Sequence, residues 1–322
     1  MNHRSNAPPA WTRFAIAATG GASGWMFCHP MDVVKTRMQL LRSTKNRWNA
    51  GPAAESTRRS SLGMFRDIWR VEGMRGMYSG LSAGITRQFT YTTARIGLYE
   101  TIRETCAPLL GIDTSAAALG SGIGFAFKLA SGLVAGATAC VLCCPVEVAL
   151  VRMQADANRP LMERRNYRNV VTALLSIVKR EGVAGAYAGV GALVTRGAIV
   201  SMAQLATYDT AKAAYQQPPF GFNDGVLLHL CSGVTAGFVY CAVSLPIDNV
   251  KSRLMDQTVR EDGTVAVSGI RDAFRQSVAA DGVASLWRGF PAYFARGGGH
   301  TILMFLFVEQ YRKMVNEYYG AG

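Results

Sequence analysis

Residues 30–39 read PMDVVKTRMQ, residues 145–154 read PVEVALVRMQ and residues 246–255 read PIDNVKSRLM. Each copy is proline, any residue, an acid, two residues, a base in two of the three copies, one residue and arginine. A second block follows every copy: EGMRGMYSG at 72–80, EGVAGAYAG at 181–189 and DGVASLWRG at 281–289. The proline-to-acid spacings are 42, 36 and 35 residues, and from the second block onward the copies align without gaps at offsets of 109 and then 100. Gly80, Gly189 and Gly289 correspond, as do Arg87, Arg196 and Arg296, and Glu100, Asp209 and Glu309. One such motif arises by chance, but three in register do not, and an internal period decides architecture ahead of local propensity. A length of 322 residues alone would suggest about two domains. The period instead makes residues 1–322 one domain, with repeats over about 12–110, 122–217 and 223–318.

Each repeat holds two long apolar segments, at 12–40 and 82–105, 123–155 and 190–215, and 225–256 and 291–317. A bilayer core of about 30 Å takes about 20 helical residues, so the expected fold is an all-α membrane protein with six transmembrane helices in three pseudo-symmetric repeats. Pro30, Pro145 and Pro246 lie near the end of the first helix of each repeat and are expected to kink it. Ala17 with Gly21, Gly132 with Gly136, and Gly233 with Gly237 are small-residue pairs at matching distances from those prolines, spaced for close helix contact. Between the two blocks, residues 62–71, 167–179 and 268–279 carry apolar positions at intervals of three and four, the pattern of short amphipathic helices at the membrane surface.

Hydrophobic residues make up 49% and charged residues 17% of the chain, against about 25% charged in typical soluble domains, which excludes a disordered or highly charged scaffold. The net charge of +13 calls for anionic partners. Its distribution is topological: the loops between blocks hold Arg42, Lys45, Arg47, Arg58, Arg59, Arg159, Arg164, Arg165, Arg168 and Arg260 among others, while 106–127 and 213–228 hold no Lys or Arg. The positive-inside rule puts the basic loops on the inner side and both termini on the other, so nucleic acid is not needed as a partner. The seven cysteines form no spaced framework, residues 1–12 show no secretory signal, and the Cys140–Cys143 pair lacks a second metal-ligating pair, so no metal is expected.

Ionisable residues within transmembrane segments are costly and mark functional sites. One girdle comprises Asp32, Glu147 and Asp248 with Lys35, Leu150 and Lys251, and is expected to close the inner end by pairing across helices, with one pair fewer because Leu150 stands where a base is due. A second comprises Glu100 and Arg103, Asp209 and Lys212, and Glu309 and Arg312, an acid-x-x-base pattern expected to close the outer end. Between them stand Arg87, Arg196 and Arg296; Tyr91 and Arg95 extend the first stripe, opposite Val200 and Gln204 in the second repeat and His300 and Met304 in the third. No Asp or Glu occurs in 81–99, 189–208 or 290–308. Several arginines without an acid suit a small dicarboxylate and offer nothing to an ammonium group. No nucleophile, base and orienter recur together, which argues against an enzyme. The site lies within one chain, so a monomer is expected.

These residues resemble the mitochondrial carrier family over nearly the whole chain, through the three Pro-x-acid-x-x-base-x-base motifs and the acid-Gly blocks. The stretches GLSAGITRQFTYTTARIGLY at 80–99, EVALVRM at 147–153, AQLATYDTAK at 203–212 and YFARGGGHTILMFLFVEQ at 293–310 are similar to the branch that exchanges 2-oxoglutarate for malate. The resemblance implies strict exchange by alternating access in the mitochondrial inner membrane, with the basic loops in the matrix, the termini toward the intermembrane space, cardiolipin as a bound lipid and no other cofactor. It also implies Arg87, Tyr91, Arg95, Arg196 and Arg296 as substrate contacts and Gln39 and Gln154 as braces of the matrix ion pairs. Ser201, Gln204 and His300, from their place on the same helices, are further candidate contacts, with Ser201 departing from the asparagine the resemblance implies. Ser79, Leu150 and Ala188 depart from it at expected bases, and Met255 stands where a third glutamine is due. The rival readings are an uncoupling-type proton or anion leak, or an exchanger of succinate, phosphate or citrate.

Overall fold

The long apolar segments are α-helices in the computed structural model, which describes residues 10–40, 60–112, 122–159, 161–218, 221–223, 225–257 and 265–320. In chain order the helices are α1 (Ala10–Leu40), α2 (Ser61–Met77), α3 (Leu81–Leu109), α4 (Gly122–Ala155), α5 (Val170–Ala186), α6 (Val190–Gln216), α7 (Val226–Asp256), α8 (Ile270–Asp281) and α9 (Phe290–Gly320). No strand occurs among the described residues. Residues 1–9 of the stretch read for a signal peptide, and the loop bases Arg42, Lys45, Arg47, Arg58, Arg59 and Arg260, lie outside the described residues.

The protein is an all-α membrane protein with six transmembrane helices, α1, α3, α4, α6, α7 and α9, and one short surface helix per repeat. The shortest of the six has 27 residues, longer than the bilayer core requires at about 1.5 Å per residue. Composition alone marks Gly122–Asn158, Val190–Gln216 and Leu227–Asp256 as apolar enough to cross a membrane. Helices α1, α3 and α9 are of similar length but less apolar, α3 and α9 with five charged residues each. Helices α1, α4 and α7 continue through Pro30, Pro145 and Pro246 to Leu40, Ala155 and Asp256.

The surface helices α2 and α5 run past their expected ends because the acid-glycine step bends them without breaking off. Gly73 (φ 62°, ψ −150°) and Gly182 (φ 70°, ψ −173°) leave helical space inside α2 and α5, and Gly282 (φ 77°) ends α8 at the same point of the third repeat. Such φ values favour glycine. The acid just before each glycine meets the last arginine of the first block, a pairing the sequence reading did not assign. Arg37 donates to Glu72 at 2.5 and 2.8 Å, Arg152 to Glu181 at 2.5 and 2.8 Å, and Asp281 receives Arg253 at 3.8 Å and Arg288 at 2.9 Å. The recurrence of both blocks in every repeat was the available signal.

The glycine closing each second block, with φ of 80°, 76° and 84° at Gly80, Gly189 and Gly289, turns the chain into the next long helix against a neighbouring repeat. A Cβ at Gly80 would lie 3.2 Å from Met153, one at Gly189 3.1 Å from Leu254 and one at Gly289 3.5 Å from the Lys35 carbonyl oxygen. The surface helices then bury apolar faces: Met64 and Ile68 of α2 pack with Val33, Val34, Met38 and Ala292, and Ala273 of α8 with Ala192, Val250 and Leu254. Asn169 and Thr172 form a reciprocal capping box at the start of α5. Beside α8, the Ser268 N–H and the Gln276 amide hold the Asp272 carboxyl below the usual carboxylate range.

The described chain divides into two compact units, one of Met1–Cys28, Ile85–Cys143 and Gly299–Gly322, the other of His29–Gly84 and Cys144–Gly298. The division cuts across the repeats, so each unit draws on all three. In the first unit Gly21 of the expected Ala17–Gly21 pair lies close to α3, where a Cβ would stand 3.2 Å from Gln88 Nε2, and the approach of α1 to the α9 backbone falls at two further glycines. A Cβ at Gly20 would lie 3.2 Å from the Val308 nitrogen and one at Gly24 3.0 Å from the Met304 nitrogen, so Gly20 and Gly24 are where α1 meets α9. Gly132, Gly136 and Gly233 have open space at that position, and Gly237 faces Phe294 at 3.6 Å. Spacing alone names a stripe of small residues, while the neighbour decides which stripe is used.

Arg152 is fully buried and its partner Glu181 nearly so, whereas Glu72 is 28% exposed. Removing one partner of a buried pair costs about 3 to 5 kcal/mol. Glu181→Gln is therefore expected to lower the thermal unfolding midpoint clearly more than Glu72→Gln; equal shifts would show that burial does not set the value of these pairs.

Candidate functional site

Three helix ends carry acid, base and amide at i, i+3 and i+7, which puts them on one helical face: Asp32, Lys35 and Gln39 on α1; Glu147, Leu150 and Gln154 on α4; Asp248, Lys251 and Met255 on α7. All nine are buried, within the unit of His29–Gly84 and Cys144–Gly298. Lys35 pairs with Asp248, and Lys251 pairs with Glu147 at 2.6 Å. Gln39 donates to Asp248 at 2.9 Å and accepts from Ser252 at 2.8 Å. Gln154 donates to Asp32 at 2.7 Å and accepts from Thr36 at 2.7 Å. Met255 has no side-chain donor to offer.

Within the girdle each lysine makes one cross-helix pair, and the third acid is met from α9. The Arg296 Nε lies 3.5 Å from an Asp32 oxygen, so the acid that neither cross-helix lysine pair takes up has a cation from α9. Arg196 on α6 approaches the same layer, with its Nε 3.3 Å from Asp248. Both arginines touch Tyr293, a residue the sequence reading missed. Arg196 donates to the Tyr293 hydroxyl at 2.9 Å, and that hydroxyl is 3.1 Å from the Ser244 hydroxyl. The Arg296 guanidinium lies 5.0 Å and the Lys35 ammonium 4.7 Å from the Tyr293 ring centre, within range of cation–π attraction. The signal was a break in symmetry, since the aligned residues are Gly84 and Leu193.

In the other unit, Arg87 stacks over Trp25 at 4.3 Å and donates to Gln88 Oε1 at 2.7 Å. The Gln88 amide nitrogen lies 3.3 Å from His300 Nε2, which is also 3.2 Å from the Gly21 carbonyl oxygen. His300 is edge-on to Trp25 at 5.7 Å. Arg87 and His300 are thus joined through Trp25 and Gln88, neither of which the sequence reading named. Again the clue was asymmetry, because Cys140 and Cys241 align with Trp25.

Tyr91 is half-buried and Arg95 exposed on α3, and Ser201 and Gln204 are exposed on α6. Of the outer acid-x-x-base sets, Glu100, Arg103, Asp209, Glu309 and Arg312 are exposed and Lys212 is half-buried. Glu309 pairs with Lys313 at i+4 and 3.1 Å rather than with Arg312 at i+3. That exposed pair is worth a few tenths of a kcal/mol. Among the described residues no three His, Cys, Asp or Glu side chains gather to hold a metal ion.

A layer of alternating buried charges, with two arginines hung on it through one tyrosine, can bind anions and can exchange ion-pair partners. The sequence profile described as mitochondrial carrier protein matches residues 6–108, 122–219 and 223–319. The mitochondrial 2-oxoglutarate/malate carrier protein of Bos taurus is 36% identical over 323 residues, covering 100% of this chain and 96% of its own length. That of Caenorhabditis elegans is 34% identical over 306 residues, covering 94% and 92%. The mitochondrial uncoupling protein 5 of Arabidopsis thaliana is 34% identical over 302 residues, covering 90% and 93%.

Tyr293→Phe removes only the hydroxyl shared by Arg196 and Ser244 and is expected to cost about 1 to 2 kcal/mol. Tyr293→Leu, the residue at the aligned position of the second repeat, also removes the ring beneath two cations and is expected to cost about 3 kcal/mol or more. Thermal unfolding of the purified protein compares them, and identical losses would show that the ring contributes nothing to holding Lys35 and Arg296.

Proposed function

The chain belongs to the mitochondrial carrier family, and we propose that within it the protein is an antiporter exchanging 2-oxoglutarate for malate or related dicarboxylates by alternating access across the mitochondrial inner membrane. It is a transporter, not an enzyme. The observation that carries the dicarboxylate reading is the set of aligned arginines Arg87, Arg196 and Arg296, on helices whose stretches 81–99, 189–208 and 290–308 contain no acid. A guanidinium binds a carboxylate through two parallel hydrogen bonds and keeps its charge at any working pH. Two carboxylates require at least two such forks.

In this reading Arg87, Arg196 and Arg296 grip the substrate, helped by Tyr91, Arg95, Ser201, Gln204 and His300. The layer of Asp32, Lys35, Glu147, Asp248 and Lys251, braced by Gln39 and Gln154, is the matrix-side gate. The acids and bases at Glu100, Arg103, Asp209, Lys212, Glu309 and Arg312 pair when the opposite side opens. Closing one set of pairs offsets the cost of opening the other, which keeps the barrier to alternation low while a dianion neutralises the arginines. Without substrate the arginines repel one another, and the empty protein changes side slowly. The termini face the intermembrane space, cardiolipin binds at the matrix surface and the monomer suffices.

The relative named as an uncoupling protein supports a second reading, a leak that needs no counter-substrate. Uptake of labelled malate into liposomes holding the purified protein separates the two. Fast uptake is expected only when the vesicles contain 2-oxoglutarate, and Arg296→Ala and Arg196→Ala are each expected to lower it about tenfold or more, the worth of a lost charge-assisted pair. Equal uptake into empty vesicles would replace exchange by leak, and absence of malate uptake under any loading would assign the arginines to a different anion.

A further inference from the structure

The pairing in the buried layer follows a rule. The base of α1 meets the acid of α7 through Lys35 and Asp248, and the base of α7 meets the acid of α4 through Lys251 and Glu147. By the same rule the base of α4 would meet the acid of α1, but that position holds Leu150, itself 3% exposed. Asp32 is therefore a buried carboxylate whose cation has been deleted from the motif. A buried carboxylate stripped of its cation is strongly destabilising, so the charge must come from elsewhere. It comes from α9, where Arg296 Nε stands 3.5 Å from Asp32 while Gln154 donates to the other carboxylate oxygen at 2.7 Å.

We propose that Arg296 is the third base of this layer, replacing the lysine absent at Leu150, so that Asp32 and an anionic substrate compete for the same guanidinium. Tyr293 holds Arg296 in place: its ring faces the guanidinium at 5.0 Å, and its hydroxyl is fixed by Arg196 and Ser244. The arrangement occurs at one of the three acids. Asp248, which Arg196 approaches at 3.3 Å, keeps Lys35 when Arg196 is withdrawn, whereas Asp32 relies on Arg296 for its pair. A dianion that takes Arg296 therefore weakens the layer first where α4 meets α1, between Gln154 and Asp32. The pair itself is independent of the transport reading; the competition rests on it.

The test uses the full chain purified in detergent. Without substrate, thermal midpoints are measured for Asp32→Asn, Arg296→Gln and the double variant, then repeated in a Leu150→Lys background. Non-additivity of about 2 °C or more is expected in the native background, and none with Leu150→Lys, where the new ammonium pairs with Asp32. Additivity in the native background would overturn the pair. Where Arg296→Gln alone fails to fold, Leu150→Lys is expected to rescue it, and failure of that rescue would overturn the pair equally. Adding malate tests the competition: Leu150→Lys is expected to bind malate several-fold more tightly and to exchange it more slowly, because Arg296 is released from Asp32 while the layer closes more firmly. Unchanged malate affinity would overturn the competition. A malate response missing from the native protein as well would instead overturn the dicarboxylate reading, leaving the pair to be decided by the substrate-free cycle.

Discussion

A carboxylate buried inside a membrane-spanning segment must have a cation beside it, and this protein has three such carboxylates at one level of its helices. Asp32, Glu147 and Asp248 are all buried, and the cost of burying them is offset by Arg296, Lys251 and Lys35 in turn. The spacing of the repeated motif follows from that need. Acid, base and amide three and four residues apart share one face, so each helix end presents a charge of either sign to its neighbours. The next arginine, two positions beyond the base, falls on another face and serves a separate purpose.

That purpose is to anchor the surface helices. Arg37, Arg152 and Arg253 reach the acids Glu72, Glu181 and Asp281, and the glycine after each acid takes a backbone conformation closed to most residues. The turn glycines Gly80, Gly189 and Gly289 then press against the helix ends that carry the charged layer. Backbone turns, arginine anchors and ion pairs thus form one connected support, and its three copies keep nearly the same form. Three departures from symmetry lie in the charged layer: Leu150 for a base, Met255 for a brace, and Tyr293 beneath two cations.

The relation of Arg296 to Asp32 joins two properties often treated apart. A guanidinium that completes a buried layer cannot at the same time be fully given to a ligand, since its donors point in fixed directions. Occupancy of the arginine and integrity of the layer are consequently linked quantities in this chain, through a single side chain on α9.

Much was legible before any coordinates. The period, the six long helices, the surface helices and the shared face of acids and bases all follow from local rules, because helical spacing and hydrophobic length depend on near neighbours in sequence. The extent of α2 and α5 beyond their acid-glycine steps was not, because a bend at glycine leaves no periodic trace. Partner choice was not legible either. Which base meets which acid, that Arg296 fills the gap left by Leu150, that Gly20 and Gly24 bring α1 close to the α9 backbone, and that Tyr293 joins Arg196, Arg296 and Lys35 all depend on residues distant in sequence. The sequence by itself determined the elements, their threefold order and the side chains available on each face. Only the tertiary structure decided the pairings, because an ion pair or a close helix contact is a property of two surfaces and is set by how both are turned toward each other.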